Sequence, residues 1–233
     1  MLEVKDLCKE FVIHQQDRRI DGFQGISFEA GRGDFFGISG QSGSGKSSLI
    51  KCIYRTYIPT RGKILYRSKE GGVVDLASVP VHEVLRLRMK EIGYVPQFLH
   101  VVPRVPALDI VAEPLIVRGV ETDEAKCRAA LILERLMLPD KLFEAYPSTF
   151  SGGEQQRINL AKAIIARFDL LLLDEPTASL DSGTKEIISD ILREEVRRGA
   201  TAICVSHDTH FLNSLSDRIL VMKCGRMEEV LGI

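Results

Sequence analysis

The sequence predicts an α/β protein with a mainly parallel core sheet, an antiparallel N-terminal β part and a helical lobe. Three observations carry this expectation. Apolar runs of strand length occur at Phe35–Ile38, Ile92–Val95, Leu170–Leu173 and Thr201–Val205, the last two flanked by helix-like stretches, and such alternation implies a largely parallel sheet. The first 30 residues hold only short apolar pieces, such as Phe11–Ile13 and Ile26–Phe28, which fit an antiparallel edge better. Between about residues 84 and 160 the pattern turns helical.

Within that helical stretch, Asp123–Leu138 places Ala129, Leu133, Leu136 and Met137 at helical spacing, and Pro139 is expected to stop the helix. No low-complexity segment, internal repeat or dividing linker is evident, so residues 1–233 read as one domain with the helical lobe inserted in the α/β core. A chain of 233 residues, 45% of them apolar, is long enough for one sizeable core. With 31 basic and 32 acidic residues intermixed, no basic field for duplex binding is expected, which argues against nucleic acid as the main partner.

The five cysteines (Cys8, Cys52, Cys127, Cys204 and Cys224) are odd in number and lack C-x-x-C spacing, so they read as buried reduced thiols of a cytoplasmic protein. The N-terminus has no apolar signal core, and the apolar runs, Leu170–Leu173 among them, are far short of a membrane span. Direct membrane insertion is therefore not expected. Only 26 residues follow His207, which leaves little room for a regulatory domain, so regulation is expected to come from partners.

The chemistry-bearing segments share one placement. Gly40 follows the first of those strands, Gln97 the second, Asp174 and Glu175 the third, and His207 the fourth. Ligands of open α/β sheets bind at the carboxyl ends of the strands, so these segments should converge on one edge. Gly40-Gln41-Ser42-Gly43-Ser44-Gly45-Lys46-Ser47, continued by Ser48, matches the phosphate-loop pattern G-x-x-x-x-G-K-[ST]. Glycine there lets backbone amides and the following helix N-terminus meet phosphate oxygens. Lys46 would reach the β- and γ-phosphates of ATP, and the Ser47 hydroxyl would ligate Mg2+. A plain glycine turn before a helix is the bland alternative.

Adjacent carboxylates at a strand end are commonly solvated turn residues. Beside a phosphate loop they suit two jobs: Asp174 completes the magnesium shell and Glu175 polarises the attacking water. Ser151-Gly152-Gly153-Glu154 reads as a capping box. It is equally a glycine-rich helix start with free amides and a positive dipole end, suited to an external phosphate.

Taken together and in order, Gly40–Ser47, Gln97, Ser151–Arg157, Asp174-Glu175, Ser179–Asp181 and His207 resemble the ATP-binding cassette (ABC) ATPases over nearly the whole chain. The resemblance implies an ABC-type phosphate-loop ATPase fold. It makes Ser151, Gly152 and Gly153 a signature that reaches the ATP of a second ABC subunit in a homo- or heterodimer. Monomers should then hydrolyse poorly. It makes Gln97 a sensor of magnesium and the attacking water, His207 a γ-phosphate contact, and Ala178–Asp181 the loop linking the two sites. Phe11 falls where relatives stack an aromatic on adenine, although an apolar core role remains open. Many relatives have Gln where this chain has Glu154, and a carboxylate there should face away from the nucleotide or back onto the cap. His14, His82, His100 and His210 have no comparable placement and read as structural or surface residues.

Four stretches, Phe11–Gln16, Val73–Leu76, Pro96–Arg104 and Ser148–Glu154, further resemble the subunit L family, the ATP-binding subunits of the phosphonate carbon-phosphorus lyase system. The match is looser between residues 17 and 39. That resemblance implies lyase core subunits as partners and a step in which a phosphonate displaces adenine from ATP, giving a ribose 1-phosphonate 5-triphosphate. The displacement chemistry would lie in the partners. The same motifs would serve the energising subunit of a membrane transporter, or a nucleotide-dependent scaffold that seldom hydrolyses; intact Glu175 and His207 argue against the scaffold. The apolar, proline-bearing stretch Phe98–Leu108 could dock either kind of partner. Small-molecule kinases and GTPases would not need Ser151–Arg157.

Overall fold

The computed structural model describes residues 1–13, 18–70, 72–99 and 102–232, so His14 and His100 lie outside the described residues. Chain order begins with β1 (Leu2–Ile13), β2 (Arg18–Ala30), β3 (Phe35–Gly40) and α1 (Lys46–Ile53). It continues through β4 (Arg61–Arg67), β5 (Val73–Asp75), α2 (Val81–Lys90) and β6 (Ile92–Val95). Helices α3 (Ala107–Val117), α4 (Thr122–Arg135) and α5 (Gly152–Ile165) follow, then β7 (Leu170–Asp174), α6 (Ser182–Arg197), β8 (Thr201–Val205), α7 (Thr209–Leu215), β9 (Arg218–Lys223) and β10 (Arg226–Gly232).

Among the described residues two sheets form, ordered β2-β1-β4-β5 and β10-β9-β3-β8-β7-β6. The first is antiparallel throughout. In the second, β9, β3, β8, β7 and β6 are parallel and β10 pairs antiparallel with β9. The mainly parallel core and antiparallel N-terminal part expected from sequence are both present.

Period-two alternation divides the central strands between two cores. Leu171, Leu173, Ala202 and Cys204 face a cluster with α3, α4 and α5, whereas Leu170, Leu172, Ile203 and Val205 face the N-terminal sheet and α1. Burial on both faces is why β7 and β8 read as unbroken apolar runs. Helix α4 starts where the Glu121 carboxylate accepts hydrogen bonds from the backbone N–H groups of Asp123 (2.8 Å) and Glu124 (3.1 Å). Its Ala129, Leu133 and the following Leu136 are fully buried.

Three expectations need correction. The helical stretch does not run from residue 84, because β6 is a strand of the main sheet and the mutually packed helices begin with α3 at Ala107. Met137 is not on the buried face of α4: the helix ends at Arg135, Met137 turns left-handed (φ 58°) and is 61% exposed. Cys8, Cys52 and Cys204 are buried free thiols as expected, but Cys127 and Cys224 are exposed. No helix among the described residues is long and apolar enough to cross a membrane. His82 and His210 lie on the surface.

Candidate functional site

The loop between β3 and α1 is shaped by its glycines. Gly45 caps α1 in a left-handed conformation (φ 96°), and a Cβ there would lie 2.3 Å from the Gly22 carbonyl oxygen. Gly43 is also left-handed (φ 78°), but a Cβ there would meet only open space, so its bare backbone faces the cleft. The Lys46 side chain curls back, donating to the carbonyls of Gly40 (2.7 Å) and Gln41 (2.9 Å). It is only 7% exposed, and burial pushes its pKa down while the charges of Glu175 and Asp174 oppose the shift. Among the described residues, no carboxylate lies within ion-pair distance of it.

These features fit a bound anion. A buried ammonium without an ion-pair partner favours negative charge. The Ser44 hydroxyl is buried and has no hydrogen-bond partner among the described residues, as expected of a group awaiting a ligand. A cleft of about 470 Å³ opens over the loop. Ser42 through Ser48 line it together with Phe11, Gln97, Glu175 and His207, so three strand ends and the loop converge as expected. Gly40 and Gln41 do not line it; their carbonyls hold Lys46 instead.

Beneath the loop, Ser47 Oγ donates to Asp174 Oδ1 at 2.8 Å and the Tyr94 hydroxyl donates to Oδ2 at 3.2 Å. Burial raises the Asp174 pKa, against hydrogen bonds from Ser47 and Tyr94 and the charge of Lys51. Burial, then the Asp174 charge, pushes the Tyr94 phenol up, keeping it a donor. A serine hydroxyl, a carboxylate and the Gln97 carboxamide form a hard oxygen set, which suits Mg2+. Gln97 lines this cleft and also a neighbouring groove of about 890 Å³, which Asp174 lines too.

Glu175 occupies a left-handed conformation (φ 53°), and its N–H donates to the Val205 carbonyl at 2.9 Å. Its Oε2 accepts from the Ser206 hydroxyl and the His207 N–H, each at 3.3 Å, and His207 Nδ1 lies 2.8 Å away. A buried non-glycine residue at positive φ is the kind of local strain that marks working sites. The Phe11 ring is half-buried on the cleft wall rather than in either core, edge-on to Tyr57 with centroids 5.3 Å apart.

Ser151, Gly152 and Gly153 lie elsewhere. They open α5 at the surface and do not line the cleft. The capping box is complete: Ser151 Oγ accepts from the Glu154 N–H at 3.3 Å, and Glu154 Oε2 accepts from the Ser151 N–H at 2.7 Å. Those bonds hold the Glu154 carboxyl below its usual range, so the departure at position 154 turns back onto the cap. Both glycines pack against Ser179, and a Cβ at Gly153 would lie 2.9 Å from the Ser179 carbonyl oxygen. Asp181 caps α6, accepting from the Thr184 N–H at 3.0 Å. Sequence reading missed Tyr94 and Ser206. An aromatic inside an apolar strand looks like packing, and a serine beside His207 carries no pattern.

The fold and cleft define a phosphate-loop nucleotide-binding ATPase cassette. Residues 23–178 match the family model described as ABC transporter. The cell division ATP-binding protein FtsE of Bacillus subtilis is 33% identical, the match covering 97% of this chain and 93% of that protein. The lipoprotein-releasing system ATP-binding protein LolD of Alcanivorax borkumensis is 34% identical, covering 91% and 90%. The macrolide export ATP-binding/permease protein MacB of Brucella abortus is 33% identical, but the chain spans only 34% of its length. A dimeric bacterial ABC transporter cassette superposes with a TM-score of 0.91 at 28% identity, covering 100% of this chain and 98% of that one. Another dimer, in a post-hydrolysis state bound to ADP and Pi, gives 0.90 at the same identity and coverage. The chain belongs to the ABC transporter family. It is an ATPase cassette of that family, with ATP and Mg2+ as its cofactors.

Proposed function

We propose that the chain is a dimerising ATPase subunit that holds one ATP in its own cleft and covers the ATP of a second ABC subunit. The observation that carries this is the separation of two phosphate-suited surfaces: Ser42–Ser48 line the cleft with Glu175 and His207, while Ser151–Gly153 open at the surface beside Ser179. In this reading Gly43, Ser44, Gly45 and Ser48 present backbone and hydroxyl donors to the phosphates, and Lys46 leaves its carbonyls for the β- and γ-oxygens. Phe11 supports adenine. Ser47, Asp174 and Gln97 hold magnesium, which when bound neutralises charge on the terminal phosphates. Glu175 takes a proton from the attacking water and His207 orients the γ-phosphate. Two ATPs shift the dimer from open to closed if they bind the closed form more tightly. Residues 1–233 form one domain, with the α3–α5 lobe as its insert.

The assembly we propose is a cytoplasmic phosphonate carbon-phosphorus lyase complex, in which a PhnL-like subunit supports formation of the ribose 1-phosphonate 5-triphosphate. The support is the four resembling stretches and five unpaired thiols, which suit a reducing compartment. A second reading, the ATPase subunit of a membrane transporter, is favoured by the relatives' names, which include macrolide export and lipoprotein release. In either case the partner would dock along the groove beside Gln97, where Phe98 is 73% exposed. Affinity purification of the tagged chain from its native host under low salt decides between them. Co-purifying lyase core subunits support the first reading; a co-purifying permease without them replaces it with the second.

A further inference from the structure

Tyr94 is absent from every motif of the sequence, yet it touches the carboxylate at the centre of the site. Its hydroxyl donates to Asp174 Oδ2 at 3.2 Å while Ser47 holds Oδ1 at 2.8 Å. With both oxygens engaged, the carboxylate plane is fixed. The phenol is itself immobilised. Its ring stacks on Tyr54 with centroids 4.8 Å apart and planes 28° from parallel. Tyr54 is in turn held by Arg88, whose guanidinium lies 4.1 Å over the ring and donates through Nε to the Tyr54 carbonyl at 3.0 Å.

From this geometry we infer that Tyr94 is a positioning residue for the magnesium site, presenting Asp174 in the orientation that the metal requires. The inference rests on the proposed assignment of Ser47 and Asp174 to magnesium. Groups that hydrogen-bond a metal-binding carboxylate set its direction and its basicity, and losing one costs metal affinity even though the group never touches the ion. A purely structural tyrosine, satisfying a buried carboxylate, would affect fold stability and leave metal affinity alone.

The test uses the full chain carrying Glu175→Gln, so that ATP is not consumed, with Mn2+ as the paramagnetic stand-in for Mg2+. Electron paramagnetic resonance titration of Mn2+ into the ATP-loaded protein is compared for the parent, Tyr94→Phe and Asp174→Asn. Tyr94→Phe keeps the ring and its stack on Tyr54 and removes only the hydroxyl. Its Mn2+ affinity should fall roughly tenfold, while its affinity for ATP in EDTA stays within twofold of the parent. If Tyr94→Phe binds Mn2+ as tightly as the parent while Asp174→Asn does not, the role of Tyr94 is overturned and the metal assignment stands. Parental Mn2+ affinity in Asp174→Asn overturns the metal assignment itself. An equal loss of metal-free ATP affinity in Tyr94→Phe overturns the positioning role in favour of a general structural one.

Discussion

His207 Nδ1 lies 2.8 Å from Glu175 Oε2, joining the residues that follow β8 and β7. The two are unequally placed, since the Glu175 side chain is 11% exposed and that of His207 is 68% exposed. Glu175 is therefore the fixed member and His207 the one with room to move. Glu175→Gln keeps an oxygen that can accept from Ser206 and the His207 N–H, so fold and ATP binding should survive. Turnover should fall by about 10²- to 10⁴-fold, the usual contribution of a positioned base. Phosphate release measured beside fluorescent-nucleotide binding checks this. Turnover within a few fold of the parent removes Glu175 from its assigned role.

Phe11 offers its ring to the cleft, with Tyr57 at its edge and the Lys9 ammonium 5.0 Å from its centroid. Because the side chain belongs to neither core cluster, Phe11→Ala should leave the melting temperature nearly unchanged. Losing an aromatic platform is worth about 0.5 to 1.5 kcal/mol, so nucleotide affinity should fall by about two- to tenfold. Turnover at saturating ATP should hold, and Phe11→Tyr should restore the affinity. Calorimetric titration with ATP reads both variants; unchanged affinity in Phe11→Ala would return the ring to a packing role.

Gly153 packs so closely on the Ser179 carbonyl that an alanine Cβ would sit 2.9 Å from it and 3.3 Å from Leu180 Cδ2. Gly153→Ala must push the loop Ala178–Asp181 away from the start of α5. Displacing a catalytic surface by a fraction of an ångström to one ångström costs on the order of 10²-fold in rate. If Ser151–Gly153 complete a partner's site, turnover per chain should fall by that amount while monomer affinity for ATP stays within twofold. For the same reason, specific activity of the unmodified chain should rise with its concentration. A flat activity across dilution argues against a shared site.

How much of this was legible in the sequence follows from where each residue's constraints lie. Strands β7 and β8 are buried on both faces, so Leu170–Leu173 and Thr201–Val205 announced themselves as apolar runs. Strand β4 bears charge at Arg61, Lys63 and Arg67 and fully buries only Ile64 and Tyr66, and every residue of β10 is exposed, so neither gave a readable alternation. The phosphate loop was legible because its backbone demands fixed residue types at fixed spacing. The Glu175–His207 contact was not, since it depends on the register that pairs Asp174 with Val205 across β7 and β8. Met137 misled because the apolar helical spacing continues in the sequence past Arg135, where the helix ends, to the residue at which the chain turns left-handed. Tyr94 stayed hidden because its polar contact is made across the sheet, not along the chain.

Asp208 follows His207 directly and anchors that segment. Its Oδ1 accepts from the Phe211 N–H at 3.0 Å, capping α7, and its Oδ2 lies 2.6 Å from Lys185 Nζ. The lysine first, and the cap second, hold its carboxyl below the usual carboxylate range. A carboxyl that ionises more easily folded than unfolded stabilises the fold fully above its unfolded pKa of about 3.9 and loses that contribution as pH falls through the folded value. Asp208→Asn keeps a capping oxygen and removes the charge, so it should cost about 0.5 kcal/mol at pH 7 and progressively less as acid protonates Asp208 in the folded parent. Asp208→Ala also removes the cap and should cost about 1 kcal/mol more, a deficit that persists at low pH. Urea unfolding of the three proteins across that pH range separates charge from cap. A deficit in Asp208→Asn that does not shrink with acidification would mean that the Lys185 pair contributes nothing to holding the His207 segment.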